Sequence, residues 1–242
     1  MRVSSDDLGQ LERVARETLD SLPSDHPPIA VEFMGSPKAG KTTTIEILTH
    51  FFKRMGYKVW APAEGASKRT PYHLKRDLVA FNTWTLSYAM SELLVAYHNV
   101  DHQNLIILDR GPSDSLAWMG VLRKRGMIDD REDEIFRKFA LETRWSKLIR
   151  RVYLFRCDVD TSLKREHEFK LTQGPGTAMN REMLSDLLSE YDSLTERLPS
   201  GLSQVIDTSA VQHTTPKVTS FQLGRDIVAL FKQFAGSTGR EC

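Results

Sequence analysis

The stretch that decides the fold is GSPKAGKT, residues 35–42, which fits the pattern G-x-x-x-x-G-K-S/T at every position. It follows IAVEFM (29–34), a short apolar run typical of a buried strand. It precedes TTTIEILTHFF (42–52), in which apolar residues recur at helical spacing. A strand, a glycine-rich turn and a helix in this order are the context in which this pattern binds a polyphosphate. The stretch therefore predicts a nucleoside triphosphate site and not a chance turn.

This loop is expected to bind phosphates mainly through its backbone. The N–H groups of residues 36–42 would surround the anion at the positive end of the following helix. Lys41 would reach the β- and γ-phosphates, and the Thr42 hydroxyl would contact Mg²⁺. The predicted nucleotide-binding residues are Gly35, Ser36, Pro37, Lys38, Ala39, Gly40, Lys41, Thr42 and Thr43.

Composition and charge limit the other classes of function. The 242 residues suffice for one large α/β domain or two small ones, and their 40% hydrophobic content is ordinary for a globular protein. A net charge of +1 disfavours a strong general attraction to nucleic acid, although it leaves room for a local basic patch. Cys157 and Cys242 form neither a disulfide framework nor a zinc pattern. No run resembles a signal peptide or a membrane span, which predicts a cytoplasmic protein with no membrane partner.

Short apolar strands alternate with helices along most of the chain. Such alternation is typical of a parallel sheet covered by helices on both faces, in three α/β/α layers. We therefore predict one domain over 29–235, an N-terminal helical extension over 1–28 and a flexible tail over 236–242. The strands are predicted at 29–34, 58–61, 105–109, 151–155 and 204–207. The helices are predicted at 6–22, 42–52, 73–98 (as one helix or two), 113–124, 131–150, 161–170, 180–198 and 222–234.

The second informative stretch is LIILDR, residues 105–110. An apolar strand that ends in Asp several dozen residues after a phosphate loop is the arrangement whose carboxylate holds Mg²⁺, directly or through water. Asp109 is therefore predicted to bind the metal together with Thr42, and Arg110 to neutralise charge on a phosphate. The alternative is that Asp109 only begins the turn at Gly111 and that Arg110 is solvated.

The segment DRGPSDSLAWMG (109–120) resembles D-R-Y/H-x-x-S-x-x-A-Y/F-Q-G of thymidylate kinases. The phosphate loop, an acidic loop at Glu64, a long helix before Asp109 and the segment DVDTSLKR (158–165) follow in that family's order. Deoxynucleoside kinases share the layout. The resemblance implies a P-loop NTPase fold with a roughly five-stranded parallel sheet, a helical lid at about 164–181, and ATP and Mg²⁺ as cofactors.

Several positions depart from thymidylate kinases. Pro37 stands where an Asp usually contacts the sugar, and Met119 stands where a Gln lies beside the base. The family's substrate-phosphate Arg would fall near Tyr88, but no Arg lies between Arg76 and Arg110. We therefore expect triphosphate handling to be kept and the acceptor pocket to have diverged.

The resemblance implies three further catalytic candidates. Lys38 stands where some relatives have an Arg that stabilises the transferred phosphoryl group, and an exposed loop lysine is the alternative. Glu64 corresponds to the Glu that accepts the acceptor's proton in deoxynucleoside kinases, and a solvated carboxylate is the alternative. Arg165 is the best lid candidate for a transition-state contact, although Glu166 and Glu168 neutralise charge nearby.

On the predicted acceptor side, Lys68 and Arg69 are candidates to meet an anionic acceptor. The long helix there also carries aromatic rings that would stack on a planar base. The alternative is that Phe81, Trp84 and Tyr88, at helical spacing, form an ordinary core stripe. These aromatic residues are Phe81, Trp84, Tyr88 and Tyr97.

The sequence thus predicts a P-loop kinase that moves the γ-phosphoryl of ATP, assisted by Mg²⁺, to a small-molecule nucleoside, nucleotide or related acceptor. A nucleic-acid hydroxyl, on a modified base or a strand end, is an alternative acceptor. A nucleotide-driven switch or regulatory ATPase is an alternative function, disfavoured because no water-positioning Gln follows Asp109 and Arg110. The choice between ATP and GTP, and between monomer and homodimer, stays open.

Overall fold

The computed structural model describes residues 3–62, 69–99, 101–169, 179–209 and 215–235. The strands are β1 (Ile29–Gly35), β2 (Val59–Trp60), β3 (Leu105–Asp109), β4 (Ile149–Arg156) and β5 (Ser203–Asp207). The helices are α1 (Ser5–Asp20), α2 (Lys41–Arg54), α3 (Leu78–Tyr97), α4 (Pro112–Lys124), α5 (Asp130–Ala140), α6 (Thr143–Ser146), α7 (Val159–Phe169), α8 (Arg181–Arg197) and α9 (Pro216–Ala235). A 3₁₀ helix, Tyr72–Arg76, precedes α3.

The five strands form one sheet in the order β2-β3-β1-β4-β5, and every neighbouring pair is parallel. This confirms the predicted α/β fold. The chain starts in the middle of the sheet at β1 and places later strands on both sides of it. At such a point of reversal the loops diverge above the carboxyl ends of the strands and leave a crevice for a ligand. The loop after β1 is GSPKAGKT.

Two apolar cores, one on each face of the sheet, produce the three layers. Successive strand residues point to opposite faces, so Val31 and Phe33 enter one core while Ala30 and Met34 enter the other. The first core is shared with α1, α2 and α9, and the second with α3, α4 and α8. All seven residues of β1 are buried.

Helix α1 packs directly onto the first core. Its Leu11 and Ala15 are buried there, and the Tyr57 hydroxyl donates a hydrogen bond of 2.7 Å to the Ala15 carbonyl. Ser4 and Asp7 form a capping box at the start of the helix. The amphipathic face predicted for 6–22 thus covers α9 and α2.

The continuous helix predicted over 131–150 was wrong. Helix α5 ends at Ala140, the short α6 follows, and β4 already begins at Ile149. The indole N–H of Trp145 donates to the Phe139 carbonyl at 2.7 Å, in addition to the backbone N–H of Glu142, and so helps to satisfy the end of α5. Within the described ranges, no helix is long and apolar enough to cross a membrane.

Candidate active site

The phosphate loop is built around backbone that only glycine accepts easily. Gly35 has φ 130°, and a Cβ there would lie 2.1 Å from the Phe155 carbonyl oxygen of β4. Gly40, at φ 91°, is the N-cap residue directly before α2. Inside this turn the Lys41 ammonium donates hydrogen bonds of 2.8 Å to the carbonyls of Gly35 and Ser36 and is 6% exposed. The loop therefore places a buried cation at the carboxyl end of the central strand.

Thr42 and Asp109, the two predicted metal ligands, meet beside this cation. The Thr42 hydroxyl donates to a carboxylate oxygen of Asp109 at 3.3 Å, because the register pairs Phe33 of β1 with Asp109 of β3. A hydroxyl and a carboxylate suit Mg²⁺, which takes few protein ligands and completes its shell with phosphates and water. The described part of the chain holds no group of three or more His, Cys, Asp and Glu that could bind a metal alone. The donor set thus fits a metal that arrives with its nucleotide.

Arg110 is held by a network that the sequence analysis missed. One of its guanidinium nitrogens donates to a carboxylate oxygen of Asp114 at 2.9 Å. The other oxygen of that carboxylate accepts from the Gly35 backbone N–H at 3.1 Å and from the Tyr191 hydroxyl at 2.7 Å. Asp114 is 2% exposed and joins β1, α4 and α8. The signal was present, because Asp114 stands where the thymidylate kinase segment has its Ser.

Glu32 is a second carboxylate that the sequence analysis did not assign. It lies fully buried in β1 and accepts hydrogen bonds from the backbone N–H groups of Gly111, Ser113 and Asp114 at 3.1, 3.2 and 2.8 Å. Burial raises the pKa of Glu32 to about 7, although these hydrogen bonds oppose the change. Glu32 thus caps α4, whose own cap residue, Gly111, has no side chain to do so.

An open cleft of about 920 Å³ lies over the phosphate loop. Arg165 of α7 lines this cleft and donates to the Lys38 carbonyl at 3.1 Å and to the Thr208 carbonyl at 2.6 Å. Lys38, with φ 62°, forms an ion pair of 2.9 Å with Glu166. The predicted loop cation Lys38 and the predicted lid cation Arg165 therefore tie α7 to the phosphate loop and to the loop after β5. The cleft is lined by Pro37, Lys38, Ala39, Gly40, Lys41, Thr42, Thr43, Thr44, Asp109, Arg110, Phe155, Thr161, Lys164, Arg165, Glu168, Thr208, Thr215, Pro216 and Thr219.

Two predicted features of the acceptor side lie outside the described residues: the base candidate Glu64 with its neighbour Lys68, and most of the lid segment between α7 and α8. Arg69 is described and exposed.

The aromatic residues of α3 separate into two groups. Trp84 and Tyr88 stack on each other with ring centroids 5.2 Å apart and planes 7° apart. They and Phe81 are only half-buried, and none of the three belongs to a core formed by the described residues, whereas Tyr97 packs on the second core. Partial burial and Glu92 raise the pKa of Tyr88, and Arg69 opposes this change. Among the described residues, Tyr97 is thus the aromatic residue of this helix that packs against an apolar core.

Neither a family model nor a curated protein matches this chain. Solved structures do match it, among them two of deoxyadenosine kinase from M. mycoides, one with bound dATP and one with bound dCTP. Each has a TM-score of 0.58 and 16% sequence identity, and each alignment covers 83% of this chain. The alignments cover 100% and 99% of the kinase chains. The chain therefore has the fold of a P-loop deoxynucleoside kinase, as its sequence predicted.

Proposed function

We propose that this protein is a Mg²⁺-dependent phosphotransferase that moves the γ-phosphoryl of ATP to a nucleoside, nucleotide or related acceptor. The observation that carries the proposal is the meeting of Lys41, Thr42 and Asp109 at the carboxyl edge of the sheet, beside an open cleft. The kinase fold of the matching structures supports it, and those proteins hold nucleotides.

In this proposal the loop backbone and Lys41 bind the triphosphate. Lys41 exchanges its bonds to the Gly35 and Ser36 carbonyls for bonds to phosphate oxygens, so its charge stays partnered in both states. Thr42 and Asp109 hold the metal, which when bound neutralises charge on the phosphoryl oxygens. Positioning and charge neutralisation are the main contributions that phosphoryl transfer asks of a protein.

We propose that three other cations act on the transferred group. Arg110, oriented by Asp114, and Arg165 both line the cleft. Lys38 reaches a phosphate only after it separates from Glu166, so we propose that nucleotide binding breaks this ion pair. Glu64 keeps its proposed role as the base that takes the acceptor's proton.

The test is Mg²⁺-dependent transfer of γ-³²P from ATP to a panel of nucleosides, nucleoside monophosphates and oligonucleotides, with free phosphate followed in parallel. A labelled product is expected with the native protein and with Asp101→Asn, an exposed matched control. The Asp109→Asn variant should form no labelled product. Phosphate release without any labelled acceptor would instead favour a nucleotide-driven switch, and no Mg²⁺-dependent use of ATP would contradict both.

A further inference from the structure

Tyr191 of α8 brings a hydroxyl group to the first residue of the phosphate loop. Its ring is fully buried in the second core, and Leu187 and Leu194, about one helical turn to either side, are buried there too. The hydroxyl oxygen lies 2.7 Å from a carboxylate oxygen of Asp114 and 3.2 Å from the carbonyl oxygen of Gly35. A side chain of the core therefore contacts the loop directly, although it is not among the described residues that line the cleft.

This hydroxyl has two acceptors and one proton. Burial and the Asp114 carboxylate raise the pKa of Tyr191 well above its ordinary value, and Arg110 opposes this change, so the hydroxyl stays protonated near neutral pH. The 2.7 Å contact with Asp114 has the usual length of an O–H···O hydrogen bond, and the 3.2 Å contact with Gly35 is longer. The proton therefore lies on the Asp114 side in this structure, and the Gly35 carbonyl is a second acceptor within reach.

Lys41 donates to the same Gly35 carbonyl, and we expect it to leave when nucleotide binds. Its ammonium bonds to the carbonyls of Gly35 and Ser36, both at 2.8 Å, and in the proposed function it exchanges both bonds for phosphate oxygens. A buried carbonyl that loses its donor raises the free energy of the filled loop, unless another donor replaces it. The Ser36 carbonyl already has another donor, because the Ala39 backbone N–H donates to it at 3.3 Å. For the Gly35 carbonyl, the Tyr191 hydroxyl is in the corresponding position.

Tyr153 of β4 makes the same kind of bond in a purely structural setting. It too is fully buried, and its hydroxyl donates to a carboxylate oxygen of Asp226 in α9 at 2.7 Å. Neither residue is among the described residues that line the cleft. Such a bond satisfies a buried phenol and stabilises the fold, and the bond from Tyr191 to Asp114 would need no other explanation. The contact with Gly35 is what distinguishes Tyr191.

We propose that Tyr191 is a positioning residue whose hydroxyl changes its acceptor from Asp114 to the Gly35 carbonyl when the phosphate loop binds a nucleotide. This inference rests on the nucleotide site of the proposed function. The hydroxyl keeps its proton, and only the direction of its O–H bond changes. The Gly35 carbonyl that Lys41 releases stays paired, which stabilises the filled loop. The Asp114 carboxylate keeps the Gly35 N–H and Arg110 as partners, so its charge then acts mainly on Arg110.

A change of acceptor determines how the loss of this hydroxyl affects nucleotide binding. The hydroxyl leaves Asp114 only if the Gly35 carbonyl is the better acceptor in the filled loop. Its removal then costs more free energy in the filled loop than in the empty one, so Tyr191→Phe weakens nucleotide binding. A hydroxyl that only stabilises the fold contributes equally in both states, and its removal leaves the affinity for nucleotide unchanged.

The test is isothermal titration calorimetry with Mg²⁺ and β,γ-imido-ATP, a nucleotide whose γ-phosphoryl is not transferred. The variant is Tyr191→Phe and its matched control is Tyr153→Phe, since each removes one buried hydroxyl that donates to a carboxylate at 2.7 Å. Both substitutions should lower the melting temperature. We expect Tyr191→Phe to bind the nucleotide roughly fivefold more weakly, while Tyr153→Phe keeps the native affinity. Native affinity in Tyr191→Phe, or an equal loss of affinity in both variants, would overturn the inference.

Carbon-13 NMR of the native protein with labelled tyrosine observes the phenol directly. The chain contains six tyrosines, so the ζ-carbon signal of Tyr191 can be assigned by its loss in Tyr191→Phe. This signal should shift when the nucleotide is added, whereas that of Tyr153 should stay in place, because only the Tyr191 phenol changes its acceptor. If no ζ-carbon signal moves on nucleotide binding, the inference is wrong even where the variant does not fold.

Nucleotide binding is measured without catalysis, so this inference and the proposed function fail separately. Native protein that binds the nucleotide with no change at Tyr191 would keep the proposed donor site and exclude the change of acceptor. Binding that depends on the Tyr191 hydroxyl, without phosphoryl transfer to any acceptor, would overturn the kinase and keep the role of Tyr191. Native protein that does not bind the nucleotide would overturn both.

Discussion

The proposed donor side and the proposed acceptor side of the sheet edge are built differently. On the donor side, Lys41 and Asp114 are nearly fully buried, and each is bonded to Gly35 of the phosphate loop. On the proposed acceptor side, β2 has only two residues, and Trp84 and Tyr88 themselves are only half-buried. A triphosphate is the same in every donor, so a fixed backbone cradle suits it. Acceptors differ from one another, so we expect their recognition to depend on individual side chains that the core does not hold in place.

The largest effect should come from the most tightly held donor residue. Lys41→Ala removes the only charge enclosed by the loop turn, and the loss of one such electrostatic contact typically lowers kcat by about 10²–10³-fold. Lys53→Ala, on an exposed turn of the same helix, should leave transfer unchanged. Steady-state ADP formation measures both. Equal activity of the two variants would remove the proposed donor site, provided that circular dichroism shows both folded.

Glu32→Gln tests the donor side through stability. The ordinary pKa of 4.5 is raised to about 7 in the folded protein, so the fold binds this proton more tightly than the unfolded chain does. The associated stability is complete below about pH 4.5 and is lost as the pH rises through about 7. A pKa of about 7 in place of 4.5 corresponds to about 3 kcal/mol in the free energy of unfolding. The free energy of unfolding of the Gln variant, minus that of native protein, should therefore rise by about 3 kcal/mol between pH 4.5 and 8.

Urea unfolding at several pH values measures this difference, and the comparison with native protein cancels the other carboxylates. Glu46→Gln, on the exposed face of α2, is the control and should show no such trend. A difference between Glu32→Gln and native protein that stays constant with pH would contradict the assigned pKa.

The orientation of Arg110 gives the next effect in size. Asp114→Asn keeps an oxygen for the Gly35 N–H but loses the charge that pairs with Arg110, so kcat should fall by about tenfold with little change in the KM for ATP. Asp130→Asn breaks an exposed pair with Arg123 and should change neither constant. A parallel rise in the KM for ATP would mean that Asp114 shapes the phosphate loop and not Arg110.

The same contrast explains what the sequence could predict. The loop 35–42 and the strand that ends at Asp109 carry their geometry in local pattern, so their positions and the parallel sheet were correctly inferred. The network of Glu32, Asp114 and Tyr191 joins residues 77–82 positions apart, and nothing local states that these side chains meet. Its traces in the sequence were a lone carboxylate in the apolar strand β1 and an Asp at position 114, where the thymidylate kinase segment has its Ser. The break between α5 and α6 was missed because helical residues continue across it.

The smallest effect, and the one that tests the acceptor side, is expected from Trp84. Trp84→Ala removes one ring of the stacked pair, and a lost base-stacking contact should raise the KM for the acceptor by roughly fivefold while the KM for ATP stays constant. The control is Trp145→Ala, which removes a half-buried indole of α6 that packs beside Phe139 of α5. It should alter neither the KM for the acceptor nor the KM for ATP. The melting temperature separates the two readings of the stack. A lower melting temperature with an unchanged acceptor KM would make the rings structural, and the acceptor base would then have to be held elsewhere on the edge.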